Sequence, residues 1–124
     1  DHQGTVVAAI HAGWRGLLDG VLEAGIEAMQ LPADRLMAWM GPSIGPQAFE
    51  VGNDVRDAFI GNDVAAEDAF VAHNGRWLAD LPNLARQRLQ KAGIGDIHGG
   101  RWCTYSDPGR FFSYRREPVT GRQA

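Results

Sequence analysis

His11-Ala12-Gly13-Trp14-Arg15-Gly16 gathers an imidazole, a guanidinium and two glycines within six residues. Gly13 and Gly16 permit a positive φ or close backbone approach, and Arg15 offers a planar fork of donors suited to phosphate or carboxylate. The first turn of a following helix would add unpaired N–H groups. Together these features favour an anion. The His11 ring can bind a metal through a neutral nitrogen or move a proton. Each residue alone has a plainer reading, His11 as a hydrogen-bonded strand end and Arg15 as the partner of a core carboxylate. Their clustering at one site shifts the balance toward function.

Three further groups could do chemistry. Gly41-Pro42-Ser43-Ile44-Gly45-Pro46 could aim Ser43 and backbone N–H groups at a ligand; a rigid turn explains it equally well, and it lacks the nucleophile-elbow pattern of serine hydrolases. Cys103 lies five residues after His98, so a nucleophile and base are conceivable, although a lone strand cysteine is more often a small buried apolar residue. Phe112, Tyr114 and Arg115, within Phe111 to Arg116, could stack on a nucleoside and hold a phosphate or ribose edge. They could also simply fill a core. His2, His73 and His98 form no self-sufficient zinc motif.

The elements that must position these groups follow from hydrophobic spacing. Thr5 to Ile10 is almost continuously apolar and reads as an interior strand buried on both faces. Leu17, Leu18, Val21, Leu22, Ile26 and Met29 define one face of a helix of roughly four turns. Leu36 to Met40 reads as a strand, Asn53 as the cap of a helix carrying Val55, Ala58, Phe59 and Ile60, and Ala65 to Ala72 as a second short helix. Asp80 caps a further helix, with Pro82 in its first turn and Gly93 as its stop. Asp96 to Thr104 is a strand broken at Gly99-Gly100, joined to Phe111 to Arg115 in a hairpin. The expected class is α+β (mixed α/β), with mixed β-sheets flanked by helices in a single domain.

The chain has 124 residues, 44% of them apolar, and a net charge of −3. That suits one globular domain. Eleven arginines and one lysine, Lys91, are offset by fifteen acids, so no basic stripe for nucleic acid is expected. Cys103 is the only cysteine, which rules out an intrachain disulfide. No segment is long and apolar enough to cross a bilayer, no basic-then-apolar leader is seen, and a cytoplasmic location is the default.

HAGWRG, GPSIGP with Phe49-Glu50-Val51-Gly52, Ala79-Asp80-Leu81 with Leu84-Ala85, Cys103-Thr104-Tyr105, and closing FFSYRRE with TGR occur in this order. In that order and spacing they resemble the polyphenol oxidase or laccase-domain family, now viewed as purine nucleoside phosphorylases. The resemblance implies a cytoplasmic zinc enzyme phosphorolysing adenosine, inosine, guanosine or methylthioadenosine, with adenosine deamination also attributed to the family. Its partners would be a purine nucleoside and phosphate, with no nucleic acid or membrane. It makes His11 one of three zinc ligands, with a second histidine and a cysteine expected upstream, so Cys103 is not the metal cysteine. Residues 1–124 would then be the C-terminal part of such a domain, truncated at its N-terminus. Arg15 facing phosphate, and Ser43, Phe112, Tyr114 and Arg115 lining the nucleoside, are hypotheses of residue chemistry. The alternatives are a non-catalytic binding module with an incomplete metal site and, more remotely, a Cys103 hydrolase.

Overall fold

The computed structural model describes residues 1–100. Its elements are α1 (Trp14–Leu18), α2 (Val21–Ala28), β1 (Met37–Met40), β2 (Glu50–Val51), α3 (Asn53–Asn62), β3 (Phe70–His73), β4 (Arg76–Ala79), α4 (Leu81–Lys91) and β5 (Asp96–Gly99). Two small sheets share the helices between them. β1 and β5 run parallel, whereas β2, β4 and β3 form an antiparallel sheet in that order. The expected mixture of helices and sheets is therefore present.

α4 forms as its sequence dictates. The Asp80 carboxylate accepts from the Asn83 N–H at 3.1 Å, Pro82 sits in the first turn where no N–H is needed, and Gly93 leaves the helix at φ 101°. Leu81, Leu84 and Leu89 face inward. The first two join a core with Leu17, Val55, Phe59 and Phe70; Leu89 instead packs with Leu36 and Ile94 beneath β1 and β5. Arg88 ties this helix to the α1 and α2 region, donating to the Glu23 carboxylate at 2.9 Å and the Leu18 carbonyl at 3.2 Å.

Several local expectations are corrected. Thr5 to Ile10 is not an interior strand: the segment carries no ladder, and Val7 is 87% exposed. A strand exists only where a neighbour accepts its hydrogen bonds, and no described strand pairs with this one. The four-turn helix is two helices, because Gly20 at φ 95° lies between α1 and α2 in the left-handed region. α1 opens at Trp14, three residues before Leu17.

Asn53 does not cap α3. Gly52 holds that position, and the Asn53 side chain accepts from the Trp77 indole at 2.7 Å. The helix expected over Ala65 to Ala72 is a short 3₁₀ segment, Val64–Ala69, capped by Asp63, and it gives way to β3. Asn74 and Gly75, at φ 50° and 77°, then form a two-residue turn between β3 and β4. Positive φ at both positions matches the right-handed twist of the strands.

β5 ends at Gly99 as expected, with Gly99 and Gly100 at φ 84° and 79°. The continuation of that strand to Thr104, Cys103, the hairpin to Phe111–Arg115, and the candidate residues Phe112, Tyr114 and Arg115 lie outside the described residues.

Candidate functional site

Local packing presents His11 and Arg15 to solvent. Leu17 has no exposed surface and anchors α1 in the core, with Ala12 and Trp14 packed partly against the same cluster. The alternating positions His11 and Arg15 are left exposed. The Arg15 guanidinium lies over the Trp14 ring, 5.1 Å from its centroid. Stacking restrains the fork and leaves its in-plane donors for an anion.

The glycines act differently from the expectation. Neither Gly13 nor Gly16 has a positive φ. A Cβ at Gly13 would meet nothing, and one at Gly16 would meet Val21 at an ordinary 3.6 Å. Within the described structure these glycines are required neither by conformation nor by close packing. α1 also has only five residues, so the anion-binding capacity here resides mainly in the Arg15 side chain.

Ser43 lies just beyond the carboxyl end of β1, half-buried, with its hydroxyl donating to the Ile44 carbonyl at 3.5 Å. Ile44 packs against the same core cluster as Ala12 and Trp14. The HAGWRG segment and the Gly-Pro-Ser loop are thus fixed to one scaffold. Gly99 shapes the neighbouring strand end, since a Cβ there would stand 2.2 Å from the Met40 carbonyl oxygen.

The remaining histidines have local partners. His98 Nε2 lies 2.5 Å from Asp96 Oδ1, and His2 Nε2 lies 3.2 Å from Asp96 Oδ2. Their i,i+2 spacing puts Asp96 and His98 on one face of β5 and was legible in sequence; the arrival of His2, more than ninety residues away in the chain, was not. The His73 Nε2 atom lies 3.4 Å from the adjacent Asn74 amide nitrogen. Among the described residues no three His, Cys, Asp or Glu side chains are placed to hold a metal ion. His11 contributes one nitrogen donor, and the described residues do not by themselves fit a zinc ion. The cavity between α3 and α4, lined by Phe59, Asp63, Leu84 and Arg88 among others, measures about 10 Å³. That is room for about one water, so it is no nucleoside pocket.

A family model described as multi-copper polyphenol oxidoreductase laccase matches residues 1–124. The chain belongs to this family. It is 55% identical to a purine nucleoside phosphorylase of Pseudomonas aeruginosa, over all of this chain and 52% of that protein. It is 52% identical to the purine nucleoside phosphorylase YfiH of Escherichia coli, over 98% of this chain and 50% of that protein. A solved Neisseria meningitidis structure superposes with a TM-score of 0.86 at 49% identity, covering 90% of this chain and 46% of that one. The chain spans about half the length of the curated relatives it matches. No helix among the described residues is long and apolar enough to cross a membrane.

Proposed function

We propose that the polypeptide to which these residues belong is a purine nucleoside phosphorylase. The observation that carries this reading is 48 to 55% identity, across nearly all of this chain, to six curated relatives bearing that name. In phosphorolysis a phosphate oxygen forms a bond to the ribose C1′ while the bond from C1′ to the purine nitrogen breaks. The purine leaves with the bond electrons and takes up a proton. Hypoxanthine and ribose 1-phosphate are the products from inosine.

Arg15 is assigned to the phosphate. Its fork is exposed, restrained over Trp14 and charge-complementary to an oxyanion. Ser43 is assigned to the substrate through its hydroxyl, and Phe112, Tyr114 and Arg115 to the nucleoside by stacking and hydrogen bonding. His11 is assigned as one ligand of a zinc ion whose other ligands lie outside the described residues.

The test is phosphate-dependent release of hypoxanthine from inosine by the protein encoded in the complete reading frame. Arg15→Ala should raise the KM for phosphate at least tenfold, with Arg15→Lys retaining part of the affinity. Release that is independent of phosphate would refute phosphorolysis, and unchanged kinetics in Arg15→Ala would refute the anion role. A second reading rests on a relative named adenosine deaminase RL5, 36% identical over 94% of this chain. Conversion of adenosine to inosine without phosphate, in the same preparation, would favour it. The names of these relatives do not favour the binding-module alternative over these two.

A further inference from the structure

Arg88 lies on α4 beside two buried residues, with Leu84 one turn before it and Leu89 next in sequence. Its side chain is 14% exposed. One terminal nitrogen of its fork donates to the Glu23 carboxylate at 2.9 Å, and the other donates to the Leu18 carbonyl at 3.2 Å. Leu18 is the last residue of α1 and Glu23 lies in the first turn of α2, with Gly20 at φ 95° between them. Arg88 therefore bridges the joint between two helices from a third. The other Glu23 oxygen is buried without a hydrogen-bond partner among the described residues, so within that set Arg88 is the group that compensates this carboxylate.

We infer that Arg88, given the assignment of Arg15 to phosphate on which this rests, is a positioning residue that clamps α1 in the orientation presenting Arg15. α1 has five residues, too few to be stable as a helix by itself in water. Its direction must come from contacts with the rest of the fold. Leu17, with no exposed surface, pins one point, and a single buried side chain still lets a short helix pivot. The Leu18 carbonyl is one of the C-terminal groups that a helix cannot pair internally, and its bond to Arg88 pins a second point. Arg15 stands three residues before Leu18 on the same helix. A swing of α1 therefore carries the Arg15 guanidinium away from the anion and changes its seat over the Trp14 ring, now 5.1 Å from the centroid. A lysine at position 88 has one nitrogen and cannot reproduce two donors set apart in one plane.

Two measurements on the protein encoded in the complete reading frame test the clamp. In steady-state kinetics, Arg88→Met should raise the KM for phosphate by roughly three- to tenfold with little change in the KM for inosine; a general loss of packing would raise both. Added to Arg15→Ala it should give no further increase, because both substitutions remove one interaction. Arg88→Lys keeps the charge beside Glu23 and should fall between, and it makes the same test should Arg88→Met fail to fold. In fluorine NMR of fluorotryptophan-labelled protein, with resonances assigned from Trp14→Phe and Trp77→Phe, the Trp14 signal should move in the position-88 variants. The Trp77 signal, whose ring packs under Arg56, should stay in place. An unchanged phosphate KM, additive effects of the two substitutions, or an unmoved Trp14 signal overturns the inference. A protein with no phosphate-dependent turnover defeats the phosphorylase reading instead, and the Trp14 signal then decides by itself whether Arg88 holds α1.

Discussion

Replacing Gly99 by alanine tests the junction of β1 and β5, because two independent costs coincide there. The residue sits at φ 84°, and an added Cβ would lie 2.2 Å from the Met40 carbonyl oxygen and 3.0 Å from its nitrogen. The left-handed backbone costs an alanine about 1–2 kcal/mol. The clash is with backbone, so no rotamer relieves it; the strand ends must separate. The first contact at risk is the hydrogen bond from the Gly100 N–H to the Met40 carbonyl, 2.9 Å long, whose loss adds about 0.5–1.5 kcal/mol. The sum is roughly 1.5–3.5 kcal/mol, which lowers the Tm of a domain this size by about 10 °C. Gly95 is the control: it has ordinary φ and nothing within 4 Å of an added Cβ, so Gly95→Ala should leave Tm nearly unchanged. Differential scanning calorimetry on both variants decides it. Equal and small shifts would refute the close approach of the two strand ends and the arrangement of the β1 loop that depends on it.

Phe59 is 2% exposed and lies 6.2 Å from the Phe70 ring; Phe59→Ala should cost about 3–5 kcal/mol, measured by urea unfolding. Asp80→Ala removes the α4 cap and should cost about 1 kcal/mol in the same assay. The Asp63 carboxyl is held below its ordinary value of 3.8 first by the Ala65 N–H and then by Lys91. A depressed carboxylate stabilises the fold above its unfolded pKa and loses that contribution as pH falls through its folded pKa. Asp63→Asn should therefore be slightly less stable than the unaltered chain near neutral pH and converge with it in acid, as thermal melts across the acid range would show. Zinc analysis of the dialysed 124-residue chain should give well under one ion per chain, since one donor, His11, does not make a site; stoichiometric zinc would refute the claim that other ligands are needed.

Local chemistry was readable wherever a residue's role depends on near neighbours. Asp80, Pro82 and Gly93 bounded α4 because capping, a proline in the first turn and a left-handed stop are properties of one helix. Gly99-Gly100 ended β5 for the same reason. Asn74-Gly75 carried an equally local hairpin signal, which the helical spacing of Ala65 to Ala72 concealed. Asp19-Gly20 likewise marked a break that periodicity from Leu17 to Met29 passed over, since apolar spacing continues across a turn when both helices face one core.

The site divides along the same line. Sequence alone determined the composition of HAGWRG, its order relative to the other family motifs, and hence family membership, because these are facts about residue identity. It could not settle whether Thr5 to Ile10 is a strand, since β structure requires a partner and apolar character says nothing about where that partner is. Tertiary structure decided that α1 is anchored by Leu17 with His11 and Arg15 turned outward, that Arg15 rests on Trp14, and that His2 meets Asp96 across the chain. Those outcomes depend on which surfaces are buried together, and burial is a property of the assembled chain rather than of any segment within it.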